Sequence, residues 1–247
     1  MNRSILRISW SLVLVTALLG VGSQAHAFTY AESGDAGSLP TSAQAVSDTA
    51  MDGTPLQFIS GNVESGFVPY EFTDSIDLFE IELTGGAFSA STVGGANFDT
   101  QLYLYDAQGN GIIFNDDADS TVKQSTLSAS NLAAGLYYLG VSVSAPPVLP
   151  VDASRTLIFP QPPAPAEFHP GIIEANPDAG PLAGYAPQLV AQQPLVELPY
   201  TIALSGVQAT PEPIAGGGAV SMAILMLVAR FGGQRRREMA TRSRVRQ

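Results

Sequence analysis

Between residues 28 and 210 the apolar positions recur with a period of two. In "IDLFEIEL", Phe79, Ile81 and Leu83 alternate with Glu80 and Glu82. In "FDTQLYLYD", Phe98, Thr100, Leu102 and Leu104 fall on one side of an extended chain, and Asp99, Gln101, Tyr103 and Tyr105 on the other. "GLYYLGVSVS" puts Tyr137, Leu139, Val141 and Val143 on one face, and "YTIALSG" does the same with Tyr200, Ile202 and Leu204. Such alternation marks half-buried strands, because successive side chains of an extended chain point to opposite faces. "LQFISGNV" and "AFSASTV" carry it more weakly. No convincing 3.6-residue repeat runs through this region, and "DAQGNG", between "LYLY" and "IIF", has the Asp, Asn and Gly of a hairpin turn. About six to eight short strands separated by turn signals predict an all-β fold, an antiparallel β-sandwich of jelly-roll-like type, over residues 28–208.

Residues 145–198 break the rhythm. Twelve of the 18 prolines fall there, in runs such as "APPVLPVD" and "FPQPPAPAEFHP". This reads as a Pro-rich insertion, a surface loop or spacer too long for an ordinary connection. "PYTIALSGV" then returns to strand pattern as the last strand.

Both ends read as addresses. Arg3 and Arg7, the apolar stretch from Ile8 to Leu19 and Ala25-His26-Ala27 make a secretory signal peptide over residues 1–27, cleaved after Ala27. Near the other end, Ile214 to Ala229 carries no charge. Sixteen residues span roughly 24 Å against a hydrocarbon core of about 30 Å. Extension through Gly233 gives a transmembrane helix over 214–233, with Arg230 reaching to the interface. From Arg230 onward there are seven arginines and one glutamate, so the positive-inside rule leaves 238–247 as a basic cytoplasmic tail and exports the body. Pro211-Glu212-Pro213 keeps the chain extended and accessible just outside the membrane.

Charge sharpens this picture. The body from 28 to 210 holds 20 of the 22 acids and only Lys123 and Arg155 as cations, a net −18. Such a surface repels nucleic acid and anionic lipid headgroups. With no cysteine in the chain, disulfides, thiolate nucleophiles and Cys-bound zinc are excluded.

The order Pro211-Glu212-Pro213, short apolar span, Arg235-Arg236-Arg237, over about residues 209–237, resembles the PEP-CTERM sorting signal of Gram-negative bacteria. That resemblance implies an exosortase-type processing enzyme as partner. The inner membrane then holds the precursor transiently, and the body passes to the cell surface or the extracellular matrix, where exopolysaccharide is the expected neighbour. Within the body, Asp77, Phe79, Asp99, Leu102, Asp106, Gly109, Asp116, Asp117, Gly135 and Tyr137-Tyr138 resemble the bacterial pre-peptidase C-terminal domain. This implies a small jelly-roll sandwich of the kind that binds calcium or polymers. No peptidase domain is attached, which departs from the family's usual context.

Catalytic signatures are missing from the sequence. After signal cleavage His169 is the sole histidine, and no Gly-x-Ser-x-Gly occurs. Asp99-Thr100 has Gln101 where an aspartic protease needs glycine. A hydrolase using only carboxylates stays open, though no pair stands out. The acidic run "FNDDADS" offers Asn115, Asp117 and Asp119 in the alternation of the first EF-hand ligands, but Ser120 and Thr126 break that motif. Asp99, Asp106, Asn115, Asp116, Asp117 and Asp119 are candidate calcium ligands; a solvated turn explains the same residues. Tyr103, Tyr105 and Tyr138 are candidates for an exposed face that stacks on sugar rings. The expected function is that of an exported, non-catalytic surface or matrix protein, with a calcium-assisted carbohydrate- or polymer-binding module as the alternative.

Overall fold

The computed structural model describes residues 28–47, 54–67, 75–144, 148–160, 171–186 and 193–210. The signal peptide, the Pro211-Glu212-Pro213 motif, the apolar span, the arginine cluster and His169 lie outside the described residues. Among the described residues no helix is long and apolar enough to cross a membrane.

The fold is all-β, with mixed sheets. Sheet I places five strands in the order β1 (Phe28–Ala31), β3 (Leu56–Phe67), β13 (Gln193–Ser205), β5 (Gly86–Ser91) and β8 (Thr126–Leu132). Sheet II runs β11 (Ile173–Glu174), β7 (Gly111–Asn115), β6 (Thr100–Asp106), β9 (Gly135–Val143), β4 (Ile76–Leu83) and β14 (Val207–Gln208), with β2 (Gln44–Ala45) also on β4. A separate pair joins β10 (Leu149–Val151) to β12 (Gly184–Ala186). The expected purely antiparallel pairing is corrected at two places: β1 runs parallel to β3, and β2 parallel to β4. Both are short strands laid on a sheet edge by crossings between the two layers, which reverse the chain twice and restore its direction.

The alternation seen in the sequence sorts side chains between layers. Phe79, Ile81 and Leu83 of β4, Leu102 and Leu104 of β6, and Tyr137, Leu139, Val141 and Val143 of β9 share one buried cluster. Sheet I contributes Ile59, Val63, Phe88, Ala90, Leu127, Tyr200, Ile202 and Leu204 to it. The two sheets thus close over a common apolar core in a sandwich-like arrangement. Gly206 carries the chain from β13 to β14 at φ +75°, where a Cβ would meet the Ala87 carbonyl oxygen. The predicted hairpin is present: Gly109 at φ +84° donates to Asp106 O at 2.9 Å, and the Asp106 carboxylate accepts the Gln108 and Asn110 amides.

The insertion differs from the expected surface loop. Its described parts fold over the outer face of sheet II and form a second core. Ile158, Phe159 and Leu182 pack there against Ile76, Leu78, Tyr103, Tyr105, Phe114 and Tyr138. The Phe159 ring sits 5.6 Å from Phe114, 5.7 Å from Tyr105 and 5.9 Å from Tyr103, centroid to centroid. Polar ties hold it: Tyr103 OH donates to Val148 O at 2.8 Å, Leu182 N to Gly109 O at 2.9 Å, and Tyr185 OH to Ser38 O at 2.6 Å. The returning strand also starts earlier than its alternation suggests, at Gln193.

Candidate functional site: an aspartate cluster at the strand ends

Tyr103 and Tyr105 are fully buried and Tyr138 is 7% exposed. They lie on the face opposite the shared core, as their alternation requires, but the insertion covers that face. The expectation of an exposed stacking surface is therefore corrected: Tyr103 stacks on Phe114 at 5.0 Å rather than facing solvent.

The six candidate calcium ligands divide into separate groups. Asp106 stands at the far end of β6 from Asp99 and is spent on its own turn, its Oδ2 accepting Asn110 Nδ2 at 2.9 Å. Asp119 is exposed and accepts the Thr121 and Val122 amides and the Thr121 hydroxyl, which holds its carboxyl below the usual range. Asn115 is structural: Nδ2 donates to Asp117 O at 3.0 Å and Gly171 O at 2.8 Å, while Oδ1 accepts Thr126 N at 2.8 Å.

Asp99, Asp116 and Asp117 come together. Asp99 immediately precedes β6, Asp116 and Asp117 immediately follow β7, and Ser144 closes β9, so neighbouring strands end at one place. Backbone bonds hold the ends: Ser144 N donates to Asp99 O at 2.9 Å, and Thr100 N to Lys123 O at 3.2 Å. Ser125 Oγ reaches Thr100 O at 2.5 Å and Asp116 O at 2.6 Å, locking the 116–125 loop onto the start of β6.

Burial and mutual repulsion dominate the electrostatics. Desolvation, then the charges of Asp116 and Asp117, push Asp99 up to about 6, with Lys123 and Ser144 opposing. Desolvation also raises Asp116, against hydrogen bonding from Ser144 and Gln101 and with a further push from the Asp117 charge. Lys123 Nζ bonds Asp117 Oδ2 at 3.0 Å, with the lysine 47% exposed and the aspartate 1%. One oxygen of each carboxyl, Asp99 Oδ1, Asp116 Oδ1 and Asp117 Oδ1, is buried without a hydrogen-bond partner among the described residues. Three acids facing one lysine in a partly dry setting are unfavourable as three anions. Protonation relieves them, and so does a bound cation. Among the described residues no three His, Cys, Asp or Glu side chains are grouped to hold a metal ion.

Two participants are not evident from sequence motifs. Gln101, 1% exposed, takes Tyr103 OH (2.7 Å) and Val148 N (3.0 Å) on Oε1 and supports Asp116. No local pattern marks such a glutamine. Lys123 has a compositional signal alone, as one of only two cations between residues 28 and 210.

No protein-family model and no curated protein matches the chain.

Proposed function

We propose that the chain is an exported, non-catalytic cell-surface or matrix protein with a jelly-roll-like body, delivered by an exosortase-type sorting system into a setting rich in exopolysaccharide. The observation that carries this reading is the ordered Pro211-Glu212-Pro213 triplet, apolar span and arginine cluster opposite an N-terminal Ala25-His26-Ala27 cleavage signal. Thr210, which directly precedes the triplet in sequence, is bonded to Val46 through its amide (2.9 Å) and its hydroxyl (3.0 Å). Intact-mass analysis of surface-extracted protein tests the reading. Expected is a chain that starts at Phe28 and lacks the arginine tail; residues 235–247 still attached on the surface protein would refute it.

A second reading, calcium-assisted polymer binding, is favoured by the bare oxygens of Asp99, Asp116 and Asp117. Calcium takes about six to eight oxygen ligands, and extracellular modules bind it with Kd of about 10⁻⁴–10⁻³ M. At tenfold excess over Kd the linked stabilisation is about 1.4 kcal/mol. For a body of this size that raises Tm by about 3–6 °C. Magnesium holds its waters and should give much less. Equal shifts from both ions at matched ionic strength would reduce the effect to screening and remove this reading. Sugar stacking on Tyr103, Tyr105 and Tyr138 is not part of it, since the insertion covers them.

A further inference from the structure

Phe28 and Ala209 bond adjacent residues of one segment. Phe28 N donates to Pro55 O at 3.1 Å, and Phe28 lies opposite Leu56. Gln208 forms a bridge with the same Pro55, and Ala209 N donates to Thr54 O at 3.1 Å. Thr54 and Pro55 therefore join Phe28 to Gln208 and Ala209. The aspartate cluster lies elsewhere. Gln208 is opposite Glu82 on β4, whereas Ile76, at the other end of β4, is opposite Ser142, and Thr100 is opposite Val143. From Glu82 to Ile76 the strand runs roughly 20 Å, and β14 to β6 is about 14 Å across three strand spacings.

We infer that the membrane-held precursor hangs by one pole of its body, the Thr54–Pro55 end, with Phe28 and Thr210, where the two address segments attach, turned toward a lipid surface and the Asp99–Asp116–Asp117 end pointing away from it. The inference rests on the sorting reading above for the existence of the two membrane segments; the orientation comes from where Phe28 and Thr210 sit. Thr210 is bonded directly to Val46, and only Pro211, Glu212 and Pro213 separate it from the apolar run that starts at Ile214, which leaves little chain for the body to swing on. A consequence is that the cluster is presented outward before processing.

The absence of cysteine from the chain gives a clean background for the test. Gln57→Cys near the joined ends and Ser120→Cys beside the cluster are both exposed positions. Each full-length precursor is labelled with a donor dye and reconstituted in phosphatidylethanolamine–phosphatidylglycerol vesicles carrying an acceptor lipid. Energy transfer several-fold stronger from Gln57→Cys than from Ser120→Cys is expected. A long Gly-Ser segment inserted between Thr210 and Pro211 should bring the two signals together. Equal transfer, or stronger transfer from Ser120→Cys, in a precursor that stays membrane-bound through alkaline carbonate overturns the orientation alone. Release of the precursor by carbonate overturns the sorting reading and the orientation with it.

Discussion

Replacing Phe159 by alanine tests whether the Pro-rich insertion is part of the fold or a spacer. Phe159 is 1% exposed, and its ring is in contact distance of Tyr103, Tyr105 and Phe114. Truncation removes most of the apolar surface the insertion lays on sheet II at that point. It also leaves a void flanked by rings that cannot collapse into it, because Tyr103 is held by Gln101 and by Val148 O. Loss of a buried phenylalanine side chain costs about 3–5 kcal/mol when the transfer and cavity terms combine. At about 2–4 °C per kcal/mol for a body of this size, Tm should fall by about 6–20 °C. The assay is thermal and urea unfolding of the mature body, Phe28 to Thr210, with acrylamide quenching of tyrosine fluorescence as the local probe. Quenching should rise in the folded variant if Tyr103 and Tyr105 become accessible. A change within about 0.5 kcal/mol, typical of surface substitutions, together with unchanged quenching would refute the packing argument.

Three further outcomes follow from the site and the crossover. Asp99 has a folded-state pKa of about 6, above its unfolded value, so its ionisation opposes folding: stability should decline as pH rises from about 4 to 6 and level off above. Asp99→Asn should flatten that slope and stabilise the protein at pH 7, and a carboxyl resonance of Asp99 titrating near pH 4 would contradict the assignment. Lys123→Met leaves the buried Asp117 carboxylate without its ion-pair partner; a loss of about 1–3 kcal/mol in urea unfolding is expected, largely recovered in the double variant with Asp117→Asn. Gly206→Ala combines a left-handed backbone with a clash against Ala87 O and should cost more than about 1 kcal/mol, whereas an unchanged melting curve would show that the β13–β14 crossover relaxes freely.

How far the fold is legible in the sequence follows from the range of the forces involved. Alternation is a property of neighbouring residues, so it is enough by itself to set Phe79, Ile81, Leu102, Leu104, Leu139, Val141, Ile202 and Leu204 on the faces that meet in the shared core. The Asp106–Asn110 turn is equally readable, because it needs only its own Asp, Asn and Gly. β8 is not, because Leu127 and Ala129 are the only apolar residues its central stretch "LSASN" turns inward, and serine carries little strand signal.

What alternation cannot report is whether the second face of a strand meets water. Tyr103, Tyr105 and Tyr138 have the same pattern whether bare or covered; Phe159 and Leu182, tens of residues downstream, decide that they are covered. The parallel placement of β1 and β2 is likewise a matter of chain crossings between layers. The candidate site shows the same division. Composition alone establishes that the body is strongly acidic, with two cations to meet 20 acids. Only the joining of strand ends decides that Asp99, Asp116 and Asp117 share one poorly solvated place while Asp106 and Asp119 cap turns of their own. Carboxylate repulsion depends on distance in space, and the sheet sets that distance by pairing β6 with β7 and β9.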